Sequence, residues 1–494
     1  MSARVAVIGA GFGGLALAVR LQSAGIATTL IEARDKPGGR AFVWHDEGFT
    51  FDAGPTVITD PACIDELFAL SGRQRADYVD LLPISPFYRL LWPDGSSFDY
   101  VNDQAELDRQ IAAKNPGDVE GYRRFLAFSE AVYTEGYKRL GHVPFLKITD
   151  MLAAGPQLIG LQAWRSVYAK VASYVRDDHL RQALSFHTLL VGGSPFAASS
   201  IYALIHALER EGGVWFAKGG THALVRGLAK LFEDLGGRLI GSDPVRAIAT
   251  ERGRVQGVVH ADGTFEAFDA VASNADLVHT YQTLLGADPR GQAEARRLKR
   301  RRFSPSLFVV HFGLKRSHPT LAHHSILFGP RYKGLIDDIY GRAALAEDFS
   351  LYLHAPTGTD PSLAPPGCST FYALSPVPHL GTANIDWDVE GPAYADRILE
   401  SLEARAIPGL RSDLVTRRMF TPKDFERELN AWQGSAFSLE PVLTQSAWFR
   451  AHNRDDVIRN LYFVGAGTHP GAGVPGAIGS AKATAGLMIE DLAR

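Results

Sequence analysis

Three glycines near the N-terminus have the spacing of a loop that holds the phosphates of a dinucleotide. Gly9, Gly11 and Gly14 fill the pattern GxGxxG directly after a short apolar run. In such a loop the first glycine permits a tight turn, the second lets the pyrophosphate approach the backbone, and the third lets a helix pack on the strand. Glu32 follows at about the 20-residue spacing at which a carboxylate accepts hydrogen bonds from ribose hydroxyls. The pattern predicts a dinucleotide site.

Positioning these residues requires a strand, a tight turn and a helix in succession. The run at 5–8 is apolar and β-branched, as in a strand buried on both faces. A helix is predicted next, because leucines recur at i and i+4 before Gly25, where a left-handed cap would end it. The run at 27–32 supplies a second strand, which completes a β-α-β unit. Phe12 and Gly13 lie in the turn and are expected to contact the dinucleotide.

A single glycine loop does not distinguish NAD from FAD, and the segments that follow favour FAD. A second glycine pair with a neighbouring arginine can approach the same pyrophosphate, and these residues are Gly38, Gly39 and Arg40. The next turn-rich stretch is interpreted as the entrance to the flavin ring pocket, with an ordinary connecting loop as the alternative. Its expected contacts are Gly54, Pro55 and Thr56.

The far end of the chain carries another glycine-rich segment that suits a cofactor. The run at 461–464 is predicted to be a buried strand, and a helix is predicted over 477–492. The N-terminus of that helix can face the polar edge of an isoalloxazine. A simple NAD dehydrogenase completes its site within one contiguous domain, so contributions from both chain ends favour FAD. The expected contacts here are Gly465, Gly467, Gly473, Val474 and Pro475.

On these motifs the chain resembles the bacterial phytoene desaturases, which are carotenoid desaturases of the flavin amine oxidase superfamily. The resemblance covers essentially the whole chain and rests on strings such as VIGAGFGGLALAVRL at 7–21, FDAGPTVITDP at 51–61 and NLYFVGAGTHPGAGVPG at 460–476. It implies FAD-dependent introduction of successive double bonds into phytoene, giving lycopene or neurosporene. It also implies that Val245 contacts the adenine. A carotene isomerase, a desaturase of C30 squalene-type chains, an amine oxidase and a non-enzymatic prenyl-lipid carrier are the alternatives.

The expected fold class is α/β, with a discontinuous Rossmann-like FAD-binding domain, a mixed-sheet substrate domain and a helical subdomain. Strand-helix patterns and the glycine-rich loops place the FAD-binding domain at residues 1–85, 212–276 and 436–494. Alternating strand-like and helix-like runs with many aromatic residues place the substrate domain at 86–115 and 277–435. The segment 116–211 is predicted to be helical and to associate with a membrane.

Residues 144–175 are the candidate for contact with a membrane surface. Large apolar side chains are mixed there with Lys147, Arg165 and Lys170, which suits docking at the interface. The alternative is an amphipathic pair of core helices broken at Gly155-Pro156. No membrane-spanning segment is expected, because histidines, glycines and a proline interrupt the longest uncharged stretch. We therefore expect a cytoplasmic protein bound peripherally to the inner face of the cell membrane.

Desaturation of a C–C bond requires hydride transfer from one carbon and loss of a proton from its neighbour. Side chains do not accept hydride, so the flavin must do so, and molecular oxygen or a quinone is expected to take up the electrons. The substrate is expected to be a hydrophobic polyene held by buried apolar surface. Asp150, in an apolar segment, is the candidate catalytic base, and capping of a helix is the alternative. His187, His354 and His379 are further candidates for lining the site.

Composition excludes several other functions. The chain carries 51 basic and 54 acidic residues, a net charge of −3, so nucleic acid is not an expected partner. Cys63 and Cys368 are the two cysteines, which excludes a disulfide framework and a thiolate metal site and fits a reducing cytoplasm. The adjacent pair His323-His324 lacks a further ligand pattern in the sequence, so no metal site is predicted.

Overall fold

The computed structural model of the chain describes residues 3–493. The helices are α1 (Phe12–Ser23), α2 (Pro61–Ala69), α3 (Gln104–Lys114), α4 (Val119–Val132), α5 (Ile148–Gly160), α6 (Val167–Val171), α7 (Asp178–Ala183), α8 (Leu204–Gly212), α9 (Thr221–Asp234), α10 (Leu277–His279), α11 (Pro289–Leu298), α12 (Tyr332–Asp337), α13 (Trp387–Arg405), α14 (Leu410–Asp413), α15 (Pro422–Leu429) and α16 (Val474–Leu492). The strands are β1 (Arg4–Ile8), β2 (Ala27–Ile31), β3 (Val43–Asp46), β4 (Phe49–Asp52), β5 (Leu81–Pro83), β6 (Tyr88–Leu91), β7 (Ser97–Tyr100), β8 (Trp215–Ala217), β9 (Arg238–Ile240), β10 (Ala247–Glu251), β11 (Arg254–Val259), β12 (Phe265–Ala267), β13 (Ala270–Ser273), β14 (Ser306–Leu314), β15 (His324–Leu327), β16 (Leu351–His354), β17 (Ser369–Val377), β18 (Leu414–Phe420) and β19 (Leu461–Phe463).

A parallel five-stranded sheet, in the order β19-β13-β1-β2-β9, contains the predicted β-α-β unit. Alternate residues of β1 face opposite sides of this sheet. Val5 and Val7 pack on the layer of α1, α9 and α16, whereas Ala6 and Ile8 pack with β10, β11 and α11. Both faces of the strand are covered, which explains why β1 is apolar on both of them. The sheet brings β1, near the N-terminus, and β19, near the C-terminus, into one layer.

A seven-stranded mixed sheet has the order β18-β14-β17-β16-β15-β6-β7. Its pairs are antiparallel except that of β15 with β6, which is parallel. On β14, Phe308, Val310 and Phe312 pack with α13, whereas Leu307 and Val309 face the helices between α4 and α8. The side that carries Leu307 forms a wall of the main cavity of the protein.

The segment from α4 to α8 is helical, as the sequence predicted. The alternative interpretation of this segment, a pair of core helices broken at Gly155-Pro156, differs from the structure, in which α5 runs unbroken through both residues. Pro156 removes one backbone donor, and the carbonyl left without it belongs to Leu152, which is exposed and can bond water instead. Among residues 3–493, no helix combines the length and the apolar character needed to cross a bilayer.

The architecture has the predicted α/β class, with one parallel sheet and one mixed sheet. The strands of the parallel sheet fall in the segments predicted to bind FAD, and those of the mixed sheet fall in the segments predicted to form the substrate domain. The domain boundaries themselves stay a prediction. The first two residues of the predicted FAD-binding domain, Met1 and Ser2, and its last residue, Arg494, lie outside the described residues.

Candidate functional site

A cavity of about 710 Å³ begins at the glycine loops of the parallel sheet and extends to the inner side of α5. At the sheet its lining consists of loop backbone together with Glu32 and Arg40. At α5 the lining is apolar and includes Phe145, Met151 and Leu158. One continuous space therefore combines a polar site suited to phosphates with an apolar site.

The loop between β1 and α1 has the predicted form of a phosphate cradle. α1 begins at Phe12, so the amide groups of its first turn lack intrahelical acceptors and are available to phosphate oxygens. Gly9 has a φ of 92°, which residues with a side chain rarely adopt. Gly9, Gly11, Phe12 and Gly13 all line the cavity. The first glycine-rich loop therefore presents free amides at the polar end of this space.

Glu32 is buried just after β2, with both carboxylate oxygens bound by backbone groups. Oε2 accepts from the amide of Ala10 at 2.7 Å, and Oε1 accepts from the amide of Arg34 at 3.0 Å. Burial raises the pKa of Glu32, and these backbone donors oppose that effect. Each oxygen keeps a lone pair, so the carboxylate can also accept from ribose hydroxyls. Val245, the expected adenine contact, lines the same end of the cavity.

The second glycine pair lies directly beside the first loop. The amide of Gly38 donates to the carbonyl of Ala10 at 2.8 Å, and Gly38 and Gly39 both have positive φ. Arg40 lines the cavity, and its Nε donates to the carbonyl of Ala436 at 2.6 Å. Its remaining guanidinium N–H groups are suited to phosphate oxygens. The pair and its arginine therefore line the same cavity as the first glycine loop, and their contact with the pyrophosphate stays a prediction.

The loop between β19 and α16 closes the same site from the C-terminal end. A Cβ built on Gly13 would lie 3.0 Å from the Cα of Gly465, so the first and last glycine loops are in contact. Gly473, Val474 and Pro475 form the entry to α16 and line the cavity. The N-terminus of α16 therefore faces the same space as the N-terminus of α1.

Two of the predicted contacts serve packing. A Cβ on Gly14 would overlap the carbonyl oxygen of Gly9, so Gly14 allows α1 to pack closely on β1. A Cβ on Gly467 would lie 2.8 Å from the side chain of Leu277. The other predicted cofactor contacts line the cavity. Loop amides and Arg40 for the pyrophosphate, and Glu32 for a ribose, together fit FAD.

The segment predicted to enter the flavin pocket lies in the middle of the cavity lining. Gly54, Pro55 and Thr56 all contribute to it. The segment is anchored by Asp52, whose carboxylate accepts from the amide of Thr221, at the N-terminus of α9, at 3.0 Å. Burial raises the pKa of Asp52 to about 7. The role of this segment as the entrance to the flavin pocket stays a prediction.

Thr56 joins this segment to the mixed sheet. Its Oγ1 lies 2.6 Å from the hydroxyl of Tyr372 and 3.1 Å from that of Tyr352. Both tyrosines line the cavity, on β17 and β16. These hydrogen bonds join residues 54–56 to the mixed sheet.

Glu209, which the sequence did not single out, contributes a carboxyl group to the apolar part of the lining. It is fully buried on α8, and its Oε1 accepts from the hydroxyl of Tyr88 at 2.7 Å. Its Oε2 lies 3.1 Å from Nε2 of His187, without hydrogen-bond geometry. Burial raises the pKa of Glu209 to about 7. A carboxyl group whose pKa lies near neutral pH can exchange a proton with a ligand.

Asp150 and the three candidate histidines lie elsewhere. Asp150 is half-buried in the first turn of α5, where Oδ2 accepts from the amide of Lys147 at 3.1 Å. This is a helix-capping contact, the alternative predicted for it, and the cavity is lined by its neighbour Met151. His187, His354 and His379 lie outside the lining, which includes His279 and His469 instead.

Comparison with known proteins agrees with this geometry. A family model described as flavin containing amine oxidoreductase matches residues 12–489. The lycopene-forming phytoene desaturase of Pseudescherichia vulneris is 65% identical over 489 residues, 99% of each chain. The neurosporene-forming phytoene desaturase of Cereibacter sphaeroides is 45% identical over 98% of this chain and 94% of its own. A putrescine oxidase bound to putrescine shares the fold, with a TM-score of 0.67, 15% identity and 99% coverage of both chains. The chain therefore belongs to the flavin-containing amine oxidoreductase family, as an FAD-dependent oxidoreductase of the carotenoid desaturase branch.

Proposed function

We propose that this chain desaturates phytoene to lycopene, with FAD as the hydride acceptor. The observation that carries the proposal is the continuous cavity, in which the cofactor end opens directly into an apolar space. Phytoene has no charged group, so its affinity must come from burial of apolar surface, at roughly 25 cal/mol per Å². Relatives that are 65% identical are named lycopene-forming, which favours lycopene over neurosporene as the product.

The apolar lining is contributed by three parts of the fold. The mixed sheet supplies one wall, α5 and the residue Phe145 before it supply a second, and the short helical turn at 186–191 supplies a third. The side chains involved are Leu307, Ile326, Leu374, Phe145, Met151, Leu158, Phe186, Leu189 and Leu190. A space with these walls favours an extended hydrocarbon and offers few partners to a charged amine.

Forming a C=C bond removes a hydride from one carbon and a proton from the adjacent carbon. When bound, FAD supplies the acceptor for the hydride and its two electrons. Glu209 is the group proposed to accept the proton, because it lines the apolar part of the cavity and the Tyr88 hydroxyl fixes its carboxyl group through Oε1. Because burial raises the pKa of Glu209 to about 7, its ionised form is a base matched to neutral pH.

The apolar surface of α5 supports delivery of the substrate from a membrane. Leu152 and Ile159 are 68% and 65% exposed, and Trp164, just after the helix, is 62% exposed. Met151 and Leu158, on the other side of α5, line the cavity. A helix that is apolar towards both solvent and cavity suits docking at a lipid interface. We infer peripheral association with the inner face of the cell membrane, where a quinone or molecular oxygen can take up the electrons.

The test is incubation of the purified, FAD-loaded protein with phytoene in liposomes, followed by chromatography of the pigments. Lycopene should accumulate when oxygen or a quinone is present. The control is the same mixture under nitrogen without a quinone. In this control, conversion of phytoene should stop after the bound flavin is reduced. Neurosporene as the final product would contradict the lycopene assignment, and unchanged phytoene would contradict the desaturase itself. Preferential conversion of a C30 analogue would favour the squalene-type alternative.

A further inference from the structure

Three histidines form a buried cluster behind the wall of the cavity. His324 is the first residue of β15 and lies directly opposite His354, the last residue of β16, in the antiparallel pair. His323 immediately precedes β15. One ring nitrogen from each histidine lies within 4.8 Å of the other two. In the sequence, the pair His323-His324 has no further ligand nearby. The fold brings His354 beside the pair.

The nitrogens of this cluster lack partners. Nε2 of His323, Nε2 of His324 and both ring nitrogens of His354 find no hydrogen-bond partner within the described part of the chain. All three side chains are buried, with relative exposures of 6%, 0% and 1%. A buried polar atom without a partner is costly, so such atoms usually contact water or an ion. Each of the three rings carries an unpartnered nitrogen, and the rings offer ligand atoms within 4.8 Å of one another, which points to a shared ligand.

Two of the rings have oxygen partners at Nδ1 that are compatible with the tautomer that binds a metal. Nδ1 of His323 lies 2.7 Å from Oγ1 of Thr359, and Nδ1 of His324 lies 2.7 Å from the hydroxyl of Tyr352. With Nδ1 protonated and donating to these oxygens, Nε2 is the unprotonated nitrogen that a metal requires. Neutral imidazoles with oriented partners are the usual ligands of zinc.

We propose that His323, His324 and His354 bind a divalent first-row transition-metal ion, for which zinc(II) is the best match. Zinc–nitrogen bonds of about 2.0–2.1 Å around a tetrahedral ion place ligand nitrogens about 3.4 Å apart. The nitrogens, which lie within 4.8 Å of one another, reach that geometry when their separations shorten by up to about 1.4 Å, and one coordination position is left for water. The ion ties the start of β15 to the end of β16 and, through His324 and Tyr352, supports the hydroxyl groups around Thr56.

The experiment uses the full-length, FAD-loaded protein, purified without a polyhistidine tag or chelator. After dialysis, zinc is measured by mass spectrometry, and the zinc-edge X-ray absorption spectrum reports the number of imidazole ligands. We expect about one zinc per chain and an imidazole signal from three rings. None of these readouts depends on phytoene conversion, so the result stands apart from the proposed function.

Variants locate the ion within the chain. His354→Gln and His323→Gln should each lower the zinc content to about a tenth of an equivalent, because two imidazoles hold zinc weakly. The matched control is His318→Gln, a half-buried histidine outside the cluster, which should keep the full content. If the variants do not fold, the absorption spectrum of the unchanged protein decides the question.

Three results would overturn the proposal. In the first, the unchanged protein contains less than about a tenth of an equivalent of zinc and takes up none from excess zinc chloride. This would mean that water solvates the histidine nitrogens. Zinc could persist in both cluster variants, which would place it elsewhere. The absorption spectrum could show fewer than two imidazoles at the metal.

Discussion

Gly11 and Gly14 belong to the same loop but exclude a side chain for different reasons. Gly11 lines the cavity, and a Cβ there would lie 3.1 Å from Nδ2 of the Asn274 side chain. Gly14 lies beneath the loop, where a Cβ would overlap the carbonyl oxygen of Gly9. A side chain can move to relieve the contact at Gly11, whereas the backbone contact at Gly14 affects the packing of α1 and therefore both stability and binding.

Gly14→Ala should destabilise the fold and lower the flavin content. Because backbone rather than a flexible side chain blocks the new methyl group, α1 must shift, at a cost of about 1–3 kcal/mol or more. Thermal unfolding and the ratio of flavin to protein absorbance measure the two effects. The control is Gly486→Ala on α16, where no atom of the described chain lies within 4 Å of the new Cβ. It should be neutral or stabilising, by up to about 1 kcal/mol.

Glu209→Gln should lower phytoene turnover by about 10²–10⁴-fold, because glutamine does not accept the proton. Burial raises the pKa of Glu209 from its ordinary value of 4.5 to about 7, so activity of the unchanged protein should rise with pH through about 7. The variant should lose this rise. Glu211→Gln, two residues away and exposed, is the control and should keep both rate and profile. An unchanged pH profile in Glu209→Gln would contradict the assignment of the base.

The same group predicts a pH dependence of stability. A carboxyl group whose folded pKa is raised contributes stability below its unfolded pKa of 4.5 and loses it as the pH rises through about 7. Denaturant unfolding between pH 4 and pH 9 should therefore show that stability falls between about pH 4.5 and pH 7, and this fall should be smaller in Glu209→Gln. Equal slopes in the two proteins would mean that Glu209 keeps its ordinary pKa in the folded chain.

At the scale of elements, α5 has apolar side chains on two sides that serve different partners. Leu152 and Ile159 point to solvent, and Met151 and Leu158 line the cavity. An exposed apolar pair on one helix gains free energy when it enters a lipid interface, and it adds little to the folded core. The two sides of α5 can therefore be tested separately.

The double substitution Leu152→Ser and Ile159→Ser should weaken binding to liposomes while leaving the folded protein and its flavin intact. Both side chains are largely exposed, so little core packing is lost. Cosedimentation with anionic vesicles measures the binding. Val389→Ser on α13 removes an apolar side chain that is 69% exposed but distant in sequence, and it should bind vesicles as the unchanged protein does. Equal loss in the control, or none in the double variant, would argue against docking through α5.

Elements whose residues form a local pattern in the sequence were predictable. Features that depend on contacts with residues distant in the sequence were not. The β-α-β unit follows from glycine spacing and apolar runs within 32 residues of the N-terminus, and the structure contains it. Glu209 lies in a charged run that is typical of a solvated helix. It is nevertheless buried, and its hydrogen-bond partner Tyr88 is 121 residues away in the sequence. The helix break at Gly155-Pro156 belonged to the alternative interpretation of that segment, and α5 lacks it because an exposed helix tolerates one missing backbone donor.

At the scale of the whole molecule, the cofactor site joins the two ends of the chain. α1 packs on α16, and the loops that precede these helices touch at Gly13 and Gly465. Glu32 and Arg40 come from the N-terminal part, whereas the entry to α16 comes from the last residues of the described chain. A ligand that contacts both parts stabilises the contact between them, because it binds the folded state and not the separated ends.

FAD binding should therefore protect both ends of the chain together against hydrogen exchange. At one hundred times its dissociation constant, FAD adds about 2.7 kcal/mol to the free energy of unfolding. Amides of β1, α1, β19 and α16 should slow in parallel when FAD is added to the flavin-free protein. The face of β14 that packs on α13 lies away from the cavity and serves as the internal reference, since its exchange should change less. Protection confined to the N-terminal loop would show that the C-terminal loop does not contact the cofactor, and would remove the reason for assigning Gly465, Gly473 and Pro475 to the flavin.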